Sequence, residues 1–112
     1  RTDLKFAVPA VKFVWTGLDS DDSGIPVECV DYPDMTVVIN GTFGAGGSCT
    51  LQGSMDNSNW LTLTDPQGNA ITKTAAGIEM VTEAPQYIRP LVTAGDGTTS
   101  INVTLLCRRV AR

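Results

Sequence analysis

The sequence predicts an all-β fold, built as a two-sheet antiparallel sandwich or a small barrel, and three observations lead to this prediction. Thr, Val and Ile recur along the whole chain, and their branched side chains favour the pleated surface of a strand. No stretch keeps a 3.6-residue apolar period over three turns, whereas alternation of apolar and polar residues recurs at short intervals. The 11 Gly and 6 Pro residues divide the chain into short runs.

The length and the apolar content indicate one domain. A chain of 112 residues lies within the usual size of a single domain, and 42% hydrophobic residues can build a core without a metal or a disulfide. We therefore expect a single sandwich domain over residues 1–112, with 1–10 as an extended arm.

About eight alternating runs, taken in chain order, predict the strands. In the first run Val11, Phe13 and Trp15 share one face, and in the last run every second residue from Ile101 to Cys107 is apolar. The predicted strands span 11–16, 35–43, 48–54, 60–64, 70–74, 78–83, 86–93 and 99–108.

The sixth run predicts which of its side chains face water. Ile78 and Met80 are aligned on one face of this strand. Glu79 and Glu83 alternate with apolar residues, so we expect both carboxylates on the solvent side.

Turn residues separate the runs. Asp96-Gly97 stands between two of them, and Gly accepts the positive φ that tight hairpins require. The Gly-Ala-Gly-Gly link at 44–47 is a second hairpin signal.

Pro90 lacks an N–H donor and should place its strand at a sheet edge or a bulge. Residues 17–34 are acidic and aperiodic, which predicts a long loop that carries contacts.

The absence of histidine limits the possible chemistry. Ser-His-Asp and Cys-His catalytic sets are excluded within this chain, as are zinc sites that mix Cys with His. The acidic residues cluster in turn-rich segments, whereas a glycosidase needs two carboxylates across a cleft. We expect no enzymatic activity and no cofactor.

The charge pattern points to a protein partner. A net charge of −4, from 12 acidic and 8 basic residues, leaves no basic footprint for nucleic acid. No apolar run approaches the roughly 20 residues of a membrane-spanning helix, so we expect no membrane contact. Acidic and basic blocks in separate segments favour docking on an oppositely patterned surface, although a solvated loop and a frayed end would give the same pattern. The predicted partner contacts are Asp19, Asp21, Asp22, Asp31, Asp34, Arg108, Arg109 and Arg112.

The three cysteines do not form a secreted disulfide framework. Their number is odd and their spacing wide, and Cys49 and Cys107 fall within apolar alternation. We interpret them as small buried side chains, with a disulfide between Cys49 and Cys107 as the alternative.

One segment begins like a calcium-binding loop. Residues 19–24 carry oxygen-bearing side chains at the first, third and fifth positions and Gly at the sixth. The twelfth position is Val30, where such a loop needs a bidentate Glu. We therefore expect an acidic turn and no metal site.

The two tryptophans have two interpretations. Trp15 and Trp60 are predicted to lie in the core, where sandwich tryptophans are usually found. The alternative is that they form a platform for sugar binding.

Beyond these patterns, an ordered series of segments resembles a known family. The segment at 51–60 with Leu63-Thr64-Asp65 is similar to the gSnDGtnW…LtD element of phage-encoded β-sandwich virion proteins, in which Asp56 and Asn57 would fold a turn ahead of Trp60. Asn57 stands where the common form has Gly. A shorter form of the element also occurs in discoidin-type sandwiches. The series reads LQGSMDNSNW, TDPQGNA, AAGIE, PQYIRP, GDGTTS and VTLLCRR.

The series resembles the head decoration proteins, also called cement or stapling proteins, of the epsilon-fifteen-like short-tailed phages. The resemblance implies a jelly-roll protein that is assembled in the host bacterial cytoplasm and sits on the virion capsid surface. There it would clamp neighbouring copies of the major capsid protein, usually as a homodimer. A carbohydrate-binding module of a tail or adhesion protein is the alternative, and another virion part is a third possibility.

Overall fold

The computed structural model describes residues 10–29 and 32–109, which form two antiparallel sheets packed face to face. The described residues contain strands, turns and bends and no helix. The nine strands are β1 (Ala10–Leu18), β2 (Val27–Glu28), β3 (Asp34–Thr42), β4 (Ser48–Ser54), β5 (Leu61–Thr62), β6 (Thr72–Lys73), β7 (Gly77–Val81), β8 (Tyr87–Ala94) and β9 (Ser100–Arg108).

The strand order is that of a jelly roll. One sheet has the order β1-β9-β3-β7 and the other β2-β8-β4-β5, with β6 paired to the start of β4. Early strands pair with late strands in reverse order: β1 with β9, β2 with β8, β3 with β7, and β4 with β5 and β6. This is a long double ribbon folded over on itself into two layers. The predicted all-β sandwich is confirmed.

The core lies between the sheets, and β9 runs through its centre. Ile101, Val103, Leu105 and Cys107 are fully buried, because β9 is flanked by β1 on one side and β3 on the other. The opposite layer contributes buried apolar side chains from β4 and β8, such as Leu51. Strict alternation over nine residues therefore gives β9 one buried face, as its sequence predicts.

The stretch predicted as a long loop at 17–34 is attached to the sandwich. β1 extends to Leu18, β2 lies within the stretch, and Ser23 forms an isolated bridge with Leu91. The backbone N–H groups of Gly24 and Cys29 donate to carbonyls next to or within β8. β2 escapes sequence prediction because two residues show no alternation, and its pairing is set by the partner strand. Residues 1–9 of the predicted arm lie outside the described residues.

The facing of β7 differs from the prediction. Ile78 and Met80 are 63% and 50% exposed, whereas Val81 is buried. Glu79, predicted to face water, is half-buried and forms a 2.8 Å ion pair with Lys73. The register with β3 decides this, because a shift of one residue would exchange the two faces of the strand.

Pro90 lies where β8 lacks a full neighbour. Its carbonyl accepts from the N–H of Gly24 at 2.8 Å on the side beyond the short β2. In an extended strand the backbone N and O of one residue point to the same side. The missing N–H donor of Pro90 therefore faces Gly24, away from β4, and the pairing of β8 with β4 stays intact.

Candidate functional site

The outer surface of the four-stranded sheet carries apolar side chains across all four strands. We call this surface, made of Val14, Val38, Ile78, Met80 and Leu106, the apolar face. The strand register places Val14, Thr104, Val38 and Ile78 in one row, and Lys12, Leu106, Thr36 and Met80 in the next. The five apolar residues thus lie in two adjacent rows of one sheet face, which they share with Thr36, Thr104 and Lys12.

Three members of this face are largely open to solvent. Val14 is 55% exposed, Ile78 63% and Met80 50%, while Val38 and Leu106 are half-buried by their neighbours. Several exposed apolar side chains on one face of a folded domain are typical of an interaction site. The signal for it in the sequence is weak, because Ile78 and Met80 also fit a strand that buries them.

The outer surface of the other sheet is more polar. Arg89 of β8 donates from Nε to Oε1 of Gln52 at 3.0 Å, and its guanidinium carbon lies 4.2 Å from the ring centroid of Trp60. Tyr87 accepts from Gln86, which also donates to Glu28. The two outer surfaces of the sandwich thus offer different chemistry to a partner.

Charged groups lie at the two ends of the four-stranded sheet. At one end, Asp19, Asp21 and Asp22 follow β1 as an exposed turn, in which the N–H of Asp19 donates to Oδ2 of Asp22 at 3.0 Å. At the other end, Arg108 forms a 3.3 Å ion pair with Asp34. The nine-residue strand β1 separates these two ends of the sheet by roughly 26 Å.

The predicted contact residues therefore do not form one site. The acidic turn lies at one end of the apolar face, and the basic end of the sheet, with Arg108 and Arg109, lies at the other. Asp34 forms an ion pair with Arg108 within the chain. Arg109 is exposed beyond β9. Asp31 and Arg112 lie outside the described residues.

A groove of about 560 Å³ lies beside the turn that follows β4. Met55 and Leu61, which are 71% and 77% exposed, line it together with Pro85. The carboxylates of Asp56 and Glu83 also line it, but both accept hydrogen bonds from their own chain.

Asp56 folds the turn at this groove. Its carboxylate accepts from the N–H groups of Ser58 and Asn59, from the Asn59 amide and from the Ser54 hydroxyl, at 2.7–2.9 Å. These hydrogen bonds hold the pKa of Asp56 well below its usual range. Asn57 has a φ of 61°, so it supplies the left-handed conformation for which the common form of the element uses Gly.

Trp15 and Trp60 occupy different environments. Trp15 is buried in the core, and its Nε1 donates to the carbonyl of Ile25 at 2.9 Å. The sequence predicts Trp60 in the core as well, but the structure places it half-buried on the surface against Arg89. The guanidinium is the reason, since a cation stacked on an indole ring stabilises it outside the core.

All three cysteines are buried free thiols. The disulfide considered between Cys49 and Cys107 is not formed, and the Sγ of Cys107 lies instead 3.8 Å from that of Cys29. Desolvation raises the pKa of Cys49 to about 12.

Among residues 10–29 and 32–109, no group of three or more Cys, Asp or Glu side chains is arranged to hold a metal ion. In the same part of the chain no helix is long and apolar enough to cross a membrane.

Comparison with known proteins shows similarity of fold. No protein-family model matches the chain, and no curated protein matches it either. The crystal structure of SPBc2 prophage-derived protein YomS is similar to this chain, with a TM-score of 0.65 and 14% sequence identity. The match covers 90% of this chain and 96% of that one. At this identity the similarity shows that the two proteins share a fold.

Proposed function

We propose that the chain is a structural phage protein that binds the outside of the assembled capsid and stabilises it by holding neighbouring shell subunits together. The observation that carries the proposal is the apolar face, which extends over four strands and remains exposed on a folded domain. The proposed action involves binding and no catalytic step.

The charge around the apolar face favours a protein surface as the partner. Among the described residues, the two rows of the apolar face contain one charged side chain, Lys12, and the ion pair of Asp34 with Arg108 lies at their end. The centre is therefore free of carboxylates in a chain with a net charge of −4. An apolar centre with charged groups at its margin is the usual arrangement of protein interfaces.

The size of the face favours a repeating partner. The whole outer surface of the four-stranded sheet, of which the apolar face is a part, measures roughly 500 Å² per copy, since its strands are spaced by about 4.8 Å and average some eight residues. A single contact of this kind would bury about 1,000 Å² in total, which is less than the roughly 1,600 Å² of a standard stable complex. Many such contacts on one lattice would retain the protein through multivalency and favour the assembled state by mass action.

Clamping requires contact with more than one subunit. The acidic turn, the apolar face and the basic end of the four-stranded sheet lie in a line, with roughly 26 Å between the two ends. A copy that lies across a subunit boundary would place its two ends on different subunits.

Two observations support a phage setting. The ordered motif series, which covers about residues 37 to 109, resembles phage head decoration proteins. The prophage-derived protein YomS has the same fold over nearly its whole length.

The test uses particles of the phage that encodes this chain. We expect mass spectrometry of purified particles to find the polypeptide at a fixed ratio to the shell protein. Deletion of its gene should give heads that release DNA at a lower temperature, and addition of the purified chain should restore the original temperature. Absence of the polypeptide from particles, or unchanged heat release after deletion, would contradict the proposal.

The homodimer implied by the resemblance remains a prediction. Chemical cross-linking of particles that carry the chain measures it on the capsid, with a dimer of the 11.9 kDa chain as the expected product. Cross-links from the chain to the shell protein without any between two copies of the chain would contradict it.

The carbohydrate-binding alternative depends on Trp60. Arg89 already occupies one face of its ring, so a sugar would have to stack on the other face. A glycan array combined with tryptophan fluorescence separates the two functions. Specific glycan binding that quenches Trp60 and is lost in Trp60→Ala would favour the alternative.

A further inference from the structure

We propose that Cys29 and Cys107 are an oxidative modification site at which peroxide closes a disulfide between the two layers of the sandwich. Cys29 directly follows β2 of the five-stranded sheet, and Cys107 lies in β9 of the four-stranded sheet. The cross-link would join the layers and connect positions 78 residues apart. This inference is independent of the proposed function.

The geometry brings the two sulfur atoms into contact without a bond. Their Sγ atoms are 3.8 Å apart, and a disulfide requires about 2.05 Å. Both side chains are buried, Cys29 at 1% and Cys107 at 0% exposure. No backbone rearrangement on the scale of a strand is needed, since the sulfurs must approach by less than about 2 Å.

Cys29 is the partner that is held by fewer strand pairings. β2 is a two-residue edge strand held by its pairing with Tyr87 and Ile88. The N–H of Cys29 donates to the carbonyl of Gln86 at 2.9 Å, and its carbonyl accepts from the N–H of Tyr32 at 3.2 Å. Cys107 is fixed, because β9 pairs with β1 and β3 on its two sides. Local opening of a short edge segment costs far less than global unfolding, so it also admits a small oxidant.

The reaction balances with hydrogen peroxide as the oxidant. The Cys107 thiolate attacks one peroxide oxygen, the O–O bond breaks, and a sulfenic acid forms with release of hydroxide. The Cys29 sulfur then attacks the sulfenic sulfur, the S–O bond breaks, and water leaves. In total two thiols lose two electrons and two protons, and one peroxide becomes two waters.

The electrostatics of the pair agree with this order. Contact with the Cys107 thiol, together with burial, raises the pKa of Cys29. Contact with Cys29 lowers the pKa of Cys107, which favours Cys107 as the thiolate of the pair.

Cys49 provides a matched control within the same chain. It is equally buried at 0% exposure and is also a free thiol, but its cross-strand partners in β4 pairing are Lys73 and Val92. A sulfenic acid formed there would have no thiol in its strand register to resolve it.

The experiment treats the reduced, folded full-length chain with stoichiometric hydrogen peroxide, then denatures it and blocks remaining thiols with iodoacetamide. We expect the intact mass to show a loss of about 2 Da before alkylation and a single remaining alkylated thiol. Non-reducing peptide mapping should join the Cys29 and Cys107 peptides and find Cys49 alkylated. The product should unfold at a higher temperature than the reduced chain, because the cross-link restricts the unfolded state.

Three single cysteine variants test which thiols form the cross-link. Cys49→Ser should form the cross-link as the parent chain does, whereas Cys29→Ser and Cys107→Ser should form none. Because the mapping is done on the parent chain, the test does not depend on whether these two variants fold. Peptides that join Cys49 to either partner, or three unlinked cysteines after treatment of the folded chain, would overturn the proposal.

Discussion

Asp96 shows how one carboxylate connects two turns that are distant in the sequence. It accepts from the N–H and hydroxyl of Thr98 within the turn between β8 and β9, and from the N–H of Ala45 in the glycine-rich turn between β3 and β4 at 2.8 Å. Both turns cross from one sheet to the other, so neither is the hairpin that its sequence predicts. These hydrogen bonds, of which the one from the Thr98 hydroxyl has the largest effect, lower the pKa of Asp96 to about 2.

This interaction predicts an acid-sensitive contribution to stability. A carboxyl with a lowered pKa in the folded state stabilises the fold above its unfolded pKa of about 3.8, and the contribution is lost as the pH falls towards 2. Asp96→Asn should therefore lower the thermal midpoint at pH 7 and have little effect near pH 2. Asp21→Asn, at an exposed acid with a φ of 66°, is the control and should change neither value. An equal loss at both pH values would contradict the account.

Asn57 tests the turn in which the common element has Gly. An L-residue in the left-handed region costs about 1–2 kcal/mol, and Asn tolerates that region better than residues without a short polar side chain. Asn57→Ala should therefore reduce the free energy of unfolding by about 1 kcal/mol, and Asn57→Gly should leave it unchanged or raise it. Chemical denaturation measures both. Equal loss in the two variants would show that the Asn57 side chain, and not its backbone conformation, holds the turn.

Trp60 marks the limit of prediction from single residues. Its position after an Asx-rich turn and before a strand follows from the sequence, but its environment depends on Arg89, which is far away in the chain. The close approach of Cys29 to Cys107 is likewise produced by packing of the two layers, so neither residue's sequence neighbours reveal it.

Strand β9 is the element in which sequence and structure agree most fully. Two adjacent leucines of this strand point in opposite directions, since Leu105 is fully buried and Leu106 belongs to the apolar face. Leu105→Ala should cost about 2–5 kcal/mol of unfolding free energy through lost burial and a cavity, whereas Leu106→Ala should cost less than about 1 kcal/mol. Urea unfolding of the two variants checks this. Similar losses at both positions would contradict the assigned facing of β9.

Strands β2 and β7 show what alternation alone does not determine. β2 has two residues and exists because β8 offers an open edge there. β7 has apolar side chains at positions 78, 80 and 81, so its pattern fits either facing, and the register with β3 selects the one that buries Val81. The apolar face could not be predicted from the sequence, because the facing of Ile78 and Met80 depends on this register.

At the scale of the whole molecule, the jelly roll pairs the first strands of the chain with the last. Periodicity predicts the strands and the sandwich, but it contains no information about which strand pairs with which. Such pairing is a property of long-range contacts, and here it places Val14, from the first strand, on the same surface as Ile78. The apolar face is therefore assembled from segments distributed along most of the chain.

The central claim is that the apolar face is the surface that binds the capsid. Its most direct test is co-sedimentation of the purified chain with heads from the deletion phage, using three variants that each place a lysine at an exposed apolar position. Ile78→Lys and Met80→Lys alter the apolar face, and Leu61→Lys, 77% exposed in the groove, is the matched control. Thermal unfolding of each variant verifies that it folds.

We predict that the two apolar-face variants bind at least about tenfold more weakly, a loss of about 1.4 kcal/mol or more, and that Leu61→Lys binds like the parent chain. Full binding by both apolar-face variants, or loss of binding only in Leu61→Lys, would contradict the account.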